Sequence, residues 1–352
     1  MPDTGTKRAW VHASSQPGIV NLRPKPYNRQ SMAVTVRSFA KINLGLSIGP
    51  RREDGFHELL TVYQTIGLHD LITVTAKRGS GIEIRCADPR VPQDNSNTCY
   101  RIAEKALHTL KIERRIVIEI EKRLPVQGGF GGASANAIAT LLALELALDK
   151  VLKTKLSAPD RFRIAADVGS DLPLFLVGGT VLGVGRGEQV YPLQDLPAAA
   201  CVVVTPEVGV STPKAFAEWD RKLTVPNPSD TMIELGRRLS AWLSESYSGA
   251  PFRRGRRENP LLELVRAGIK NDFEQVVFPE YPELSAVKRA LERAGARYAS
   301  LSGSGSALYG LFASKQEASK AAVKLRKQGW MAQATTTLTR QACWTKFLVS
   351  SF

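Results

Sequence analysis

Hydrophobic and polar residues alternate over the first patterned stretch of the chain, residues 34–48. A period of two predicts a half-buried β-strand, and Lys41 and Asn43, two residues apart, should project from its polar face. A solvated strand face is the ordinary interpretation of such a pair when nothing else supports a function. The apolar residues predicted to share the opposite face are Val34, Val36, Ala40, Ile42, Leu44, Leu46 and Ile48.

Shorter patterns predict the remaining elements. Helices are predicted from Asn97 to about residue 111, from Ser157 or Asp160 to near Gly169, and over residues 314–328. Prolines after residue 205 favour a boundary near residue 200, between an N-terminal domain of residues 32–200 and a C-terminal domain of residues 201–352. An Asp-Gly pair predicts a turn at residues 51–55. Extended segments are predicted at residues 59–66, 71–76, 115–121, 200–205, 298–301 and 307–312, with a last one closing the chain.

A glycine-rich loop, LPVQGGFGGASANA at residues 124–137, lies between a predicted strand and a segment that is apolar on nearly every side. Such a segment predicts a buried helix. A glycine turn that leads into a helix N-terminus presents free N–H groups and the positive end of the helix dipole, which together favour an anion. A merely flexible loop is the alternative for an isolated glycine cluster, but this position favours a phosphate site.

Familiar phosphate-binding templates do not fit this loop. The chain has no G-x-x-x-x-G-K-[ST] sequence, and Ser134 occupies the third glycine position of G-x-G-x-x-G. The HRD and DFG sequences of protein kinases are also absent. Further along, Pro173 disfavours helical geometry at Leu172, so Asp171 is expected on a constrained loop, where a lone Asp is most often solvated or capping.

The composition limits the kinds of molecule that the chain is expected to bind. The chain of 352 residues carries a net charge of +15, which favours anionic partners. Its four cysteines form no C-x-x-C pair, so free thiols in a reducing cytoplasm are the simplest account, with no zinc site or disulfide framework. The longest apolar run, near residues 137–148, is too short to predict a membrane span. An arginine run at residues 253–257 predicts an exposed basic loop within residues 248–260, with a phosphate or RNA contact as the alternative.

Residues 1–31 are rich in basic residues and proline, with little apolar periodicity. This composition predicts a mostly disordered tail, and an organelle transit peptide is the alternative. The sequence lacks the apolar stretch of a secretory signal, and Met32 is a candidate for the true start.

Three motifs in order resemble those of the GHMP kinase superfamily. They are Lys41-Ile42-Asn43 on the first strand, the phosphate loop at residues 125–137, and the glycine turn at residues 301–305. The resemblance implies an α+β, two-domain fold. Its N-terminal ATP domain would be similar to domain 2 of ribosomal protein S5, its C-terminal α/β domain ferredoxin-like, and its active-site cleft would lie between the two.

Five further pieces resemble one branch of that superfamily, over about residues 34–340. They are AKINLGL at residues 40–46, R-x-D-G-F-H at 52–57, KRLP at 122–125, G-x-D-L-P-L-F at 169–175 and NDFE at 271–274. This branch uses ATP to phosphorylate the 2-hydroxyl of 4-diphosphocytidyl-2-C-methyl-D-erythritol, in the non-mevalonate route to isoprenoids. The alternatives are a kinase of the homoserine or mevalonate type, a basic RNA-binding protein and a catalytically dead scaffold.

The resemblance also implies roles for single residues. Asp171 would be the acid/base carboxylate with Lys41 as its partner, and Asn43, Phe56, His57 and Phe216 would bind the substrate. ATP would arrive with Mg²⁺, without a metal site on the protein. The expected partners are small molecules rather than nucleic acid or membrane, and the expected assembly is a monomer or homodimer. The residues implied to bind ATP are Asn97, Pro125, Gly128, Gly129, Phe130, Gly131, Gly132, Ala133, Ser134, Ala135, Asn136, Gly303, Ser304 and Gly305.

One position departs from the superfamily's pattern. The loop of this branch commonly has two adjacent serines, whereas this chain has Ser134 followed by Ala135. Ser134 or backbone N–H groups are therefore expected to bind the phosphate or metal in place of the missing hydroxyl.

Overall fold

The computed structural model describes residues 32–126, 128–222, 228–247, 261–262, 265 and 269–349. The predicted tail at residues 1–31 and the predicted basic loop at residues 248–260 lie outside the described residues.

Two long strands form the spine of the molecule. Strands β1 (Met32–Arg51) and β2 (His57–Lys77) pair antiparallel along almost their whole lengths, on either side of the predicted turn. The sequence predicts two separate segments where β2 is one continuous strand. The pairing continues through the polar stretch between them, because His69 lies opposite Phe39 and Asp70 opposite Ser38.

The larger sheet has six strands. Besides β1 and β2 it contains β3 (Ile82–Cys86), β4 (Arg115–Glu121), β5 (Thr180–Val184) and β6 (Gln189–Pro192). The strand order is β3-β4-β2-β5-β6, and β1 also pairs with β2. Only β3 and β4 run parallel among these described pairs.

Four helices cover one face of this sheet: α1 (Thr98–Leu110), α2 (Gly132–Leu152), α3 (Ala158–Val168) and α4 (Leu172–Val177). The predicted caps are confirmed, since the side chains of Asn97 and Ser157 accept backbone N–H bonds at the starts of α1 and α3. Leu172 is helical, contrary to the prediction, because Pro173 lies in the first turn of α4, where its missing N–H costs no helical bond.

Helix α2 is the buried helix that the sequence predicts. Residues 132–149 of this helix are apolar and long enough to cross a membrane, but 67% of the segment is buried inside the fold. Its apolar side chains pack with β1, β2, β4 and α1 in the largest core cluster. The segment is therefore the central core helix of this half of the molecule.

A four-stranded antiparallel sheet packs on the opposite face of the larger sheet. Its strands are β7 (Ala200–Val204), β8 (Tyr298–Leu301), β9 (Leu308–Phe312) and β10 (Ala332–Thr336). Their order in the sheet is β10-β7-β9-β8. Further helices are α5 (Thr212–Lys222), α6 (Pro228–Tyr247), α7 (Glu274–Glu280), α8 (Pro282–Arg293) and α9 (Lys315–Lys327). Helices α8 and α9 cover its outer face, which gives four layers with a helix layer on each outside.

One expectation is incomplete and another is wrong. The last extended segment predicted after residue 328 is present as β10, but a helix that the sequence did not predict, α10 (Arg340–Phe347), follows it, and Thr339 caps its start. The apolar residues of β1 do not share one face. Val34 and Val36 pack beneath α2, whereas Ala40, Ile42 and Leu44 pack between the two sheets. A register shift between Phe39 and Lys41 exchanges the two faces of the strand, which turns Lys41 and Asn43 towards the start of α2.

Candidate active site

The glycine-rich loop is held by its carbonyl groups. The Gly128 oxygen accepts from the Ala307 N–H, the Gly129 oxygen from the Ser302 hydroxyl, and the Phe130 oxygen from the Lys41 N–H, at 3.0–3.2 Å. Two of its glycines, Gly129 and Gly131, have φ angles of +77° and +68°, which other residues rarely adopt. The sequence therefore folds this segment so that its acceptors face the protein.

The second glycine turn, residues 302–305, packs directly against the first. A Cβ added at Gly305 would lie 2.8 Å from both Cα and N of Gly129. The Asn271 amide donates to the carbonyls of Leu301 and Gly303, at 2.9 and 2.8 Å, and so fixes the second turn. Neither turn leaves room for a side chain at this contact.

A cavity of about 360 Å³, here called the loop cavity, opens beside the start of α2. The first bond within α2 runs from the Ala135 N–H to the Gly131 oxygen, so the N–H groups of the preceding three residues have no partner within the helix. These groups and the helix dipole give the cavity an anion-binding wall. Of the predicted ATP-site residues, this cavity is lined by Asn97, Pro125, Gly128, Gly129, Phe130, Gly131, Gly132, Ala133, Ser134 and Asn136.

Asp70 ties together two walls of the loop cavity. This fully buried carboxylate accepts from the Lys122 ammonium and from the N–H groups of Arg123 and Leu124, each at 2.7 Å. It also accepts from the side-chain amide of Asn136, at 2.9 Å. Lys122 and Asn136 both line the cavity, so Asp70 sets the spacing between the segment before the loop and the first turns of α2.

Two predicted ATP-site residues line neither of the two cavities of the site. Ala135 lines neither this cavity nor the one described next, and its side chain is buried beside Phe175 and Ile138. A serine at position 135 would therefore face the protein core. Gly305 also lines neither cavity, and its part is the contact with Gly129.

A larger cavity of about 810 Å³, here called the aromatic cavity, lies on the other side of the loop. It holds the predicted catalytic pair, with Lys41 Nζ 3.5 Å from Asp171 Oδ2. The Lys41 ammonium donates to Asn43 Oδ1 at 2.6 Å, and the Asn43 amide donates to the Thr61 hydroxyl at 2.8 Å. This chain of bonds fixes the orientation of Lys41. Gly303 and Ser304 also line the aromatic cavity.

Burial sets the electrostatics of the pair. The Lys41 side chain is 4% exposed, whereas that of Asp171 is 37% exposed and open to the cavity. Burial lowers the pKa of Lys41 below its usual range, and the nearby charge of Asp171 opposes this shift. The Tyr63 hydroxyl donates to Asp171 Oδ1 at 3.1 Å, and burial raises the pKa of this phenol.

Aromatic side chains form the far end of the aromatic cavity. The rings of His57 and Phe216 stack with centroids 5.0 Å apart, and Phe273 meets the Phe216 ring edge-on. His57 Nε2 lies 2.7 Å from Asp220 Oδ1. Phe56 is half exposed beside them, with the Arg186 guanidinium 4.9 Å from its ring centroid. This end offers flat surfaces and polar edges suited to a base.

The two cavities meet at Gly129, Gly131 and Ser134, which line both. The structure thus brings the predicted ATP loop, the predicted catalytic pair and the predicted base-binding residues to one continuous cleft. Sequence reasoning missed Tyr63, Asp70 and Arg186. Tyr63 could not be singled out because it fits the apolar pattern of β2, and Asp70 because it resembles a turn residue. For Arg186 a signal was available, since the sequence Gly185-Arg186-Gly187 indicates a cation on a tight turn.

A protein-held metal cluster is not found among the described residues, because none of their His, Cys, Asp and Glu side chains gather in threes. The arrangement fits a cation that enters with phosphate groups, since Mg²⁺ keeps most of its ligands from phosphate and water. Ser134 could supply a hydroxyl ligand to such a cation, because this residue lines both cavities.

Two protein-family models match parts of the chain. The model of the GHMP kinases N terminal domain matches residues 97–179, and that of the GHMP kinases C terminal region matches residues 255–329. A 4-diphosphocytidyl-2-C-methyl-D-erythritol kinase of Solibacter usitatus (strain Ellin6076) is 38% identical over 277 residues, which cover 79% of this chain and 80% of that protein. A relative of the same name from Desulfitobacterium hafniense (strain Y51) is 34% identical over 87% of this chain and 97% of its own.

Two solved structures resemble the fold over most of the chain. A crystal structure of 4-(cytidine 5'-diphospho)-2C-methyl-D-erythritol kinase superposes with a TM-score of 0.65 at 30% identity, covering 86% of this chain and 98% of its own. A homoserine kinase from Cytophaga hutchinsonii ATCC 33406 gives a TM-score of 0.64 at 21% identity, and the match covers 91% of this chain and 98% of that kinase. At that identity the second likeness concerns the fold alone.

Proposed function

The chain belongs to the family of 4-diphosphocytidyl-2-C-methyl-D-erythritol kinases, a branch of the GHMP kinases, and from that membership we propose how it acts. It transfers the terminal phosphoryl group of ATP to the 2-hydroxyl of 4-diphosphocytidyl-2-C-methyl-D-erythritol, a step of the non-mevalonate route to isoprenoids. The products are the 2-phosphate and ADP.

One observation carries this proposal: two cavities meet at the phosphate loop, and the Lys41–Asp171 pair lies just beyond the meeting point. A kinase needs a donor and an acceptor in one cleft, with their reacting atoms in line. The loop cavity offers N–H groups to a triphosphate. The aromatic cavity has room for the larger acceptor and has flat side chains at one end for its cytosine.

Asp171 serves as the base or orienting group for the acceptor hydroxyl. Its Oδ2 is open to the cavity and can accept the hydroxyl proton, while its Oδ1 is held by Tyr63. A carboxylate within hydrogen-bond reach assists a poorly acidic alcohol as its proton leaves. Lys41 is fixed by Asn43 and places a buried positive charge beside the reacting oxygen atoms, where an electrostatic contribution is large.

The loop supplies the second part of the mechanism. Its outward N–H groups and the start of α2 neutralise the phosphate charge during transfer. We assign the donor site to the predicted ATP residues that line the loop cavity, and we assign Gly303, Ser304 and Gly305 to the turn that supports it. Mg²⁺ bound to ATP, with Ser134 as a protein ligand, would add further charge neutralisation.

The acceptor end of the cleft favours a cytidine compound over homoserine or mevalonate. Phe56, His57 and Phe216 surround a space fitted to a flat ring, and Asp220 holds the His57 ring in place. Neither homoserine nor mevalonate carries a ring for these side chains to contact. His57 and Phe216 stack on each other, so a base would use the open faces beside Phe56.

Several broader expectations accompany the proposal. We propose a cytoplasmic enzyme, monomeric or homodimeric, whose partners are small molecules rather than nucleic acid or membrane. Its net charge of +15 suits two anionic substrates. We also keep the division into residues 32–200 and 201–352, which places the larger sheet in the first domain and the smaller sheet in the second.

The test is ADP release with three candidate acceptors: 4-diphosphocytidyl-2-C-methyl-D-erythritol, homoserine and mevalonate. We expect turnover with the cytidine compound alone. Turnover with either of the other two and none with the cytidine compound would place the chain in a different branch. A salt-sensitive affinity for RNA without ATP turnover would support the nucleic-acid alternative instead.

A further inference from the structure

We propose that Arg186, in the turn between β5 and β6, binds the diphosphate group of the acceptor and thereby selects a nucleoside diphosphate over a nucleoside. This inference rests on the proposed function, because it assumes that the acceptor's cytosine lies at the aromatic end and its polyol beside Asp171. The diphosphate joins these two parts, so it must lie between them.

The turn that carries Arg186 reaches from the cytosine end of the aromatic cavity to the reaction end. On one side, the Gly185 oxygen accepts from the N–H of Leu59, two residues beyond His57. On the other side, Gly187 packs so closely that an added Cβ would lie 2.5 Å from the Tyr63 hydroxyl and 3.9 Å from Asp171 Oδ1. Arg186, between these glycines, therefore stands between the base end and the reaction end of the cavity.

The guanidinium keeps its hydrogen-bond donors available to an anion. It forms an ion pair with Glu188, with Nε 3.8 Å from Oε1, a separation beyond hydrogen-bond reach. Within the described part of the chain the Arg186 guanidinium makes no hydrogen bond, and its side chain is 29% exposed, lining the aromatic cavity. Contact with the Phe56 ring holds it in place and leaves its N–H edge open. A planar guanidinium binds phosphate oxygens in a bidentate way.

Other cations of the aromatic cavity are less suited to this task. Lys41 is buried, donates to Asn43 and faces Asp171 at the reaction end. Arg51 is exposed at the end of β1 and has no aromatic ring beneath it among the described contacts. Arg186 alone combines a partly buried position, an aromatic support and a location between the two ends.

The experiment compares the binding of cytidine 5'-diphosphate with that of cytidine by calorimetry, in wild type and in Arg186→Gln, Arg186→Lys and Arg163→Gln. Arg163→Gln is the matched control, because it also removes one positive charge, from α3, where Arg163 pairs with Asp160. We expect Arg186→Gln to reduce the preference for the diphosphate about ten- to hundredfold, with the affinity for cytidine changed much less. Arg186→Lys should retain part of the preference, and the control should retain all of it.

Turnover separates this inference from the proposed function. In Arg186→Gln we expect KM for the acceptor to rise about tenfold or more while KM for ATP stays unchanged. An unchanged diphosphate preference in Arg186→Gln, or an equal rise of KM for ATP, would refute the role of Arg186. Wild type that binds cytidine 5'-diphosphate through Arg186 but does not phosphorylate the cytidine acceptor would refute the proposed function and leave the binding role in place.

Discussion

Lys41 Nζ lies 3.5 Å from Asp171 Oδ2 but gives its short hydrogen bond, 2.6 Å, to Asn43 Oδ1. The ammonium is therefore positioned by Asn43 and only faces Asp171. This arrangement leaves the exposed carboxylate oxygen open to a second partner, which in the proposed reaction is the acceptor hydroxyl.

Replacing Asp171 by Asn should abolish most turnover while ATP binding survives. The amide keeps the shape of the side chain and can still accept from Tyr63, but it cannot take the hydroxyl proton. We expect kcat to fall about 10²- to 10⁴-fold and the Kd of ATP to change little. Asp167→Asn, which removes an exposed partner of Lys105, is the matched control and should leave both values near those of wild type. Unchanged turnover in Asp171→Asn would exclude the assigned role.

The activity should decline at alkaline pH through loss of the Lys41 proton. Burial lowers the pKa of Lys41 below 10.5, so the ammonium deprotonates earlier than an exposed lysine as pH rises. The neutral amine no longer supports charge on the reacting oxygen atoms, and kcat should therefore fall on the alkaline side. The measurement is the pH dependence of kcat. Lys41→Arg should be slower but should lack this alkaline decline, because guanidinium stays charged. An identical decline in that variant would assign the titration to another group.

Gly305→Ala should weaken ATP binding from outside the loop cavity. Its Cβ would approach Gly129 to 2.8 Å, and backbone at that distance must shift. We expect a loss of about 1–3 kcal/mol in the free energy of unfolding and a higher KM for ATP, with a smaller change in KM for the acceptor. Gly209→Ala is the control, since a Cβ there meets nothing within 4 Å. Equal effects of both variants on KM for ATP would contradict the contact between the two turns.

Asp272 should make the free energy of unfolding fall as pH rises, whereas most carboxylates make it rise. Burial raises its pKa from 3.8 to about 6, so the folded state holds this proton more tightly than the unfolded state. The resulting contribution to stability is complete below pH 3.8 and is lost as pH rises through about 6. A difference of this size corresponds to about 3 kcal/mol at most.

The comparison for Asp272 uses Asn at the same position. An amide can accept the N–H of Ile48 as the carboxylate does, and it does not titrate. The Tm of Asp272→Asn minus that of wild type should therefore increase as pH rises from about 4 to 7. A difference in Tm that stays constant over this range would show that Asp272 titrates normally in the folded protein.

The elements of the fold could be predicted from the sequence where one period dominates. The helix after the glycine loop and the strands with regular alternation follow from local patterns. The exchange of faces along β1 could not be predicted, because the alternation is continuous in the sequence and the change arises from pairing with β2. The same holds for the break predicted near Asp70, where four hydrogen-bond donors from distant segments allow a carboxylate to be buried within a strand.

The candidate site was predictable to a similar degree. Motif resemblance placed Lys41, Asp171 and the loop, and the structure brings them into one cleft. Arg186 and Tyr63 could not be assigned, because their importance depends on where the β5–β6 turn packs against β2. Position 135 was expected to matter, but its side chain faces the core, which only the path of α2 reveals.

The contact between Gly129 and the turn at residues 302–305 also orders events during protein synthesis. Two of the three carbonyl contacts that hold the first loop in shape depend on Ser302 and on the N–H of Ala307. A growing chain that has reached α3 already contains the whole glycine-rich sequence but lacks these partners. The donor site is therefore completed only when the chain beyond residue 307 has emerged and β8 and β9 have paired. A nascent or truncated chain without them lacks two of the three contacts that hold the loop.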